Sequence, residues 1–167
     1  RIKNLKNGLH RAGDESLKAQ DADDIQFAAR LVMDGYIDQE LMQSVLSTQA
    51  ELIKKGKEVT IPQICIKKGW LSKREALFLI KPEDPPANLI PGYAIKSSLG
   101  SGGMSQVYLA HSEALGTNVA LKVLKPNLAR NEKDLKRFQK EAELLIAFED
   151  ENIVKGYAVA EADGLHA

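Results

Sequence analysis

The stretch "LGSGGMSQVYLA", Leu99 to Ala110, decides the reading of the second half of this chain. Gly100, Gly102 and Gly103 fall within four positions, and an apolar β-patterned run follows at once. A dinucleotide fingerprint needs its glycine loop to open a helix. Here the loop runs into "VYLAHS", a turn containing Gly116 and then "NVALKVL", which together read as a hairpin. A Walker loop ends in Gly-Lys-Ser/Thr, and "GMSQ" does not supply that ending. Glycines between two paired strands let the backbone lie close over phosphate oxygens with its N–H groups turned toward them. An ordinary glycine-rich turn is the plain alternative.

Lys122 and Glu141 sharpen the choice. In "VALKVL" strand alternation puts Ala120 and Lys122 on one face and Leu121 and Val123 on the other. A lysine in such an apolar strand needs an anionic partner or a route to water. Downstream, a helix expected over residues 133–148 gathers Leu135, Phe138, Ala142, Leu144, Leu145 and Phe148 on one half of its wheel. Glu141 falls inside that apolar half, between Phe138 and Leu145, and Lys122 is the cation it would meet.

Together these features resemble the N-terminal lobe of the protein kinase family over residues 93–167. "LGSGGMSQVYLA" stands for the Gly-rich loop, "VALK" for the third-strand motif and "FQKEAELL" for the helix that the family calls αC. Gly100 precedes Lys122 by 22 positions and Lys122 precedes Glu141 by 19, and both spacings suit the family. The wording looks most like bacterial serine/threonine kinases of the PASTA-linked type. One departure is Ser105, which stands where the third glycine of G-x-G-x-x-G would be; its hydroxyl is short enough to approach a phosphate.

The resemblance implies roles residue by residue. Gly100, Ser101, Gly102, Gly103, Met104 and Ser105 would cover the ATP phosphates, and Leu99, Val107 and Ala120 would pack on the adenine. Lys122 would bind the α- and β-phosphates and Glu141 would orient Lys122. The family's catalytic-loop Asp and Asn and its D-F-G Asp are not found in the sequence, and "ADG" at residues 162–164 is no substitute. The implied parent is an ATP- and Mg²⁺-dependent serine/threonine kinase acting on protein substrates, with the metal ligands outside this chain; the chain itself is expected not to catalyse. A pseudokinase or scaffold, whose surfaces bind proteins, remains the alternative.

The first half is helical. Gly35-Tyr36-Ile37-Asp38 and Gly69-Trp70-Leu71-Ser72 lie 34 positions apart, each reading glycine, aromatic, aliphatic, cap. Asp38, Thr60 and Ser72 are placed to start helices, and Gly35, Gly56 and Gly69 to stop them. Residues 24–80 weakly resemble the N-terminal repeats of type II secretion and pilus ATPases, through "LVMDGYI" and "CIKKGWL". The R-L-G half of that repeat is replaced by "QFA" and "TIP", so a packing or protein-docking module is expected rather than a cyclic-dinucleotide site.

The expected organisation is α+β. A polar, flexible terminus covers residues 1–20, with "HRAGD" at His10–Asp14 read as a solvated stretch. A four-helix module of two repeats covers 21–80. Four prolines in residues 81–91 mark a linker with few contacts. The lobe covers 92–167, with strands at 93–99, 107–111, 118–124 and 153–159 and another from Leu165, about five in one antiparallel sheet, plus the helix carrying Glu141.

Of the 167 residues, 23 are basic and 23 acidic, so no net field draws the chain to nucleic acid or anionic membrane. No apolar run approaches the length of a membrane span. Cys65 sits in an apolar helical pattern, as a small core residue would. A cytoplasmic location, as a free protein or as the cytoplasmic part of an anchored one, fits these features. The start at Arg1 and the stop at Ala167 suggest a piece of a longer chain. Self-association is expected through the helical module or the Glu141 helix.

Overall fold

The computed structural model of the protein describes residues 19–167. Most of the expected polar terminus, "HRAGD" included, lies outside the described residues. The chain divides into two compact units, the first ending at Trp70 and the second running Leu71–Ala167.

Three helices make the described part of the first unit: α1 (Ala19–Met33), α2 (Gln39–Lys54) and α3 (Ile61–Lys67). They pack on one another, with Phe27, Leu31, Met42, Val45, Ile64 and Cys65 buried. The starts and stops follow the sequence. Asp38 accepts from Leu41 N at 2.8 Å, and Thr60 closes a capping box with Gln63. Gly35 adopts φ +74°, the left-handed conformation that ends a helix without a Cβ clash. Tyr36 N then donates to Leu31 O, and Trp70 N donates to Cys65 O in the second copy of the turn. The repeated tetrapeptide is therefore a helix stop followed by a helix start. Asp24 is a buried polar hub: its carboxylate accepts from Gln49 Nε2 at 2.6 Å and from Ile61 N, at the mouth of α3, at 3.2 Å.

The second unit opens with α4 (Lys73–Ile80), which Ser72 and Glu75 start with a capping box. Three antiparallel strands follow in chain order: β1 (Tyr93–Ser101), β2 (Ser105–Ser112) and β3 (Thr117–Leu124). Leu121 pairs with Tyr108 and Val123 with Gln106, and all four are buried. Val107 pairs with Lys122 and Leu109 with Ala120 on the opposite, more open face, as alternation requires. A short helix, α5 (Pro126–Ala129), leads into α6 (Glu132–Ala147), whose N-cap Asn131 accepts from Lys133 N and Asp134 N. β4 (Glu161–Ala162) and β5 (Leu165–His166) form a separate hairpin.

Two expectations need correcting. The sheet has three strands, and 153–159 is not one of its strands. Gly156 N is instead spent on Leu145 O, near the C-terminal end of α6, so this backbone serves the helix end. The approach is close enough that a Cβ at Gly156 would lie 2.9 Å from Ile146 N. The proline segment also differs from a loose linker, and α4 groups with the lobe rather than with α1–α3. Leu89 and Ile90 are each 1% exposed. Pro82 O accepts from the buried Tyr108 hydroxyl at 2.6 Å, Ala87 O from Ile95 N, and Leu89 O from Arg74. Proline limits the chain's conformations, but it leaves carbonyls free to accept and side chains free to be buried.

Candidate functional site

The expected site residues come from β1, β2, β3 and α6. The turn between β1 and β2 is short: β1 continues through Gly100 and Ser101, leaving Gly102, Gly103 and Met104 outside the strands. Gly102 N donates to Ser105 O at 2.8 Å and closes the tip. Lys125 N donates to Met104 O at 2.9 Å and ties the tip to the end of β3. Register shifts at Ile95/Ser97 and Ser98/Gly100 interrupt the β1–β2 ladder, as bulges do where a strand must bend. Ser101, Gly102 and Gly103 are exposed, whereas Ser105 is buried at the start of β2. A serine enclosed in that way presents no hydroxyl at the loop surface, which corrects its expected approach to a phosphate.

Lys122 reaches from β3 to α6, where its Nζ donates to Glu141 Oε1 in an ion pair. The Lys122 ammonium also lies 5.7 Å from the centroid of the Phe138 ring, at the edge of cation–π range. The pair is not enclosed: the side chains are 41% and 52% exposed. Water screens a pair that open, so its worth to folding is small and its geometry is what it offers. The apolar half of α6 is also more open than its wheel suggests. Phe138 is buried, but Leu144 and Phe148 are about half exposed.

Val107, Ala120, Lys122, Phe138, Glu141 and Leu145 help line one cleft of about 250 Å³. Residues 154–158 form another part of its wall. Leu99, 57% exposed, and the glycine turn lie outside its lining. The structure thus brings Val107, Ala120, Lys122 and Glu141 together, and Leu99 and Gly100–Ser105 are not among the residues that line their cleft. The cleft combines apolar walls with the Lys122 ammonium, held in place by a carboxylate, and with Lys155, which suits a ligand with an apolar part and an anionic part. Among the described residues, no cluster of His, Cys, Asp and Glu could hold a metal ion.

The sequence did not reveal the Phe138 contact or a polar cluster at the opposite end of α6. There Glu75 accepts from Arg130 at 3.2 Å, and Arg74 donates to Asp163 at 2.9 Å. The "SKRE" capping pattern was visible at Ser72–Glu75, but its long-range partners carry no periodic signal.

The family described as protein tyrosine and serine/threonine kinase matches residues 93–166. A probable serine/threonine-protein kinase, pknA2 of Bifidobacterium longum, is 38% identical over 87 residues, covering 50% of this chain and 12% of that protein. The serine/threonine-protein kinase PknB of Mycobacterium tuberculosis is 40% identical over 78 residues, covering 47% and 12%. PrkC of Bacillus subtilis, also a serine/threonine-protein kinase, is 35% identical over 74 residues, covering 44% and 11%. This chain therefore spans about an eighth of the length of these relatives. Among solved structures, the kinase domain of Mycobacterium tuberculosis PknI is similar at a TM-score of 0.43 and 29% identity, over 50% of this chain and 34% of that one.

Proposed function

We propose that this chain, whose residues 93–166 match the protein kinase family, is the nucleotide-positioning part of an ATP-dependent serine/threonine protein kinase. The Lys122–Glu141 pair beside an apolar cleft carries this reading. In it, Val107 and Ala120 offer apolar surface to the adenine, with Leu99 above them. Lys122 binds the α- and β-phosphates, and Glu141 holds the ammonium in reach. The turn of Gly100, Ser101, Gly102, Gly103, Met104 and Ser105 lays backbone N–H groups over the phosphates.

In the overall reaction, a protein Ser or Thr hydroxyl oxygen bonds to the γ-phosphorus as the bond to the β,γ-bridging oxygen breaks. The residues of this chain position and neutralise; none of them is assigned the hydroxyl proton. The described residues do not fit a Mg²⁺ site, so no step is routed through the metal. The helices of the first unit act as a docking module for a protein, including a second copy of the chain. The whole protein works in the cytoplasm, where ATP and its protein substrates are found. No described helix is long and apolar enough to cross a membrane.

The test is Lys122→Ala in the whole protein. Phosphotransfer to protein substrate should fall by roughly a hundredfold or more, the scale seen when one preorganised charge-stabilising group is removed. The fold should survive, because the pair is half exposed. Turnover equal to wild type would overturn the kinase reading and favour a scaffold.

A further inference from the structure

Glu75 is 7% exposed, and it holds two elements at once. Its Oε2 accepts from Ser72 N at 2.6 Å and closes the cap of α4. Its Oε1 accepts from Arg130 Nη2 at 3.2 Å. Arg130 is the C-cap of α5 and immediately precedes Asn131, the N-cap of α6. One turn of α4 also grips the β4–β5 hairpin. Ser72 Oγ donates to Asp163 O at 2.6 Å and Arg74 Nε donates to Asp163 Oδ2 at 2.9 Å. Among the described non-glycine residues, only Asp163 has a positive φ, at +47°. Gly164 sits over the Glu75 carboxyl, which a Cβ there would meet at 3.5 Å.

We propose that Glu75, and Arg74 beside it, are positioning residues: α4 fixes the N-terminal end of α6 through Arg130, and so sets where Glu141 meets Lys122. The physical basis is a rod whose N-terminal end is anchored. α6 is a continuous helix, and Glu141 lies nine residues beyond its first residue, Glu132, about 14 Å along the axis at 1.5 Å per residue. A carboxylate this buried requires its cationic partner, so the Glu75–Arg130 contact resists separation. The Lys122–Glu141 pair further along the helix is open to water and cannot hold the helix by itself. The helix N-terminal to the lobe therefore governs catalytic competence, and anything that pulls on α4 would be felt at Glu141. This inference rests on the kinase reading, and its test separates the two.

The first measurement is hydrogen exchange on the 167-residue chain. Glu75→Gln keeps the capping box, since Gln closes it equally well, and removes the charge facing Arg130. Exchange in residues 126–140 should become about tenfold faster, the scale expected on losing one charge-assisted bond. Arg130→Gln should do the same from the other side, and Arg130→Lys should recover most of the protection. The second measurement is steady-state phosphotransfer by the whole protein carrying Glu75→Gln. There kcat should fall about tenfold while KM for ATP stays within about twofold, because misplacing a positioned group chiefly costs the chemical step. Unchanged exchange in both Gln variants, or altered exchange with an unaltered kcat, would overturn the proposal. Altered exchange in a whole protein whose wild type transfers no phosphate would leave the anchor standing and overturn the kinase reading instead.

Discussion

Cys65 shows how far one side chain can be taken. It is fully buried, and its thiol is pushed up to about 11, first by desolvation and then by the Asp24 carboxylate. Only the thiolate is a good nucleophile, so at pH 8 the folded chain should resist iodoacetamide. Labelling should appear together with urea unfolding. The sign for stability follows from the raised value. Folding favours the neutral thiol, so its contribution is complete below the unfolded thiol's range and is lost as pH rises from about 9 toward 11. Labelling of native protein at pH 8 as fast as a free thiol would contradict this burial. At the same scale, the partnership of Lys122 with Glu141 was legible, because a charge misplaced in an apolar pattern asks for an opposite charge. Its exposure was not legible, because a helical wheel describes one helix and not what covers it.

Among the elements, helix ends were the most legible parts. Asp38, Thr60 and Ser72 start helices because each side chain takes up backbone N–H groups within its own first turn. Such contacts span three residues and leave a local signature. The proline segment was misread for the opposite reason. Its partners, Arg74, Ile95 and Tyr108, lie well away in sequence, and prolines report only local conformation. The Tyr108 phenol, pushed up by burial and then by Glu83, reflects how closely the hydroxyl is enclosed beside Pro82. Leu89→Ala should therefore destabilise the second unit by about 2–5 kcal/mol, the cost of truncating a buried leucine. Urea midpoints read by near-UV dichroism would measure it, and trypsin and thermolysin should leave residues 81–91 intact in the native wild type. A loss under about 0.5 kcal/mol, with rapid cleavage in that segment, would restore the loose linker.

At the scale of the whole molecule, one feature was legible and one was not. The glycine hairpin with Lys122 and Glu141 pointed to the protein kinase family, whose description matches residues 93–166. The division after Trp70 was hidden, because it depends on Ser72, Arg74 and Glu75 reaching Asp163 and Arg130 across some 55 to 91 residues.

What the assembled chain can do with nucleotide follows from its exposed parts. Lys122 is 41% exposed, Leu99 is 57% exposed, and the glycine turn stands outside the cleft that holds Val107 and Ala120. A phosphate meeting these groups stays largely in water, where each contact is screened and individually worth little. The adenine would gain apolar contact on one side only. With no described acidic cluster to hold a metal, Mg²⁺ adds little beyond what it does for ATP in solution. The 167-residue chain should therefore bind ATP no more tightly than roughly millimolar, about 4 kcal/mol, and should transfer no phosphate to a protein substrate. Calorimetric titration with ATP, and again with ATP and Mg²⁺, would measure this directly. Micromolar affinity, weakened at least about tenfold by Lys122→Ala, would show that the half-open cleft closes on the nucleotide by itself.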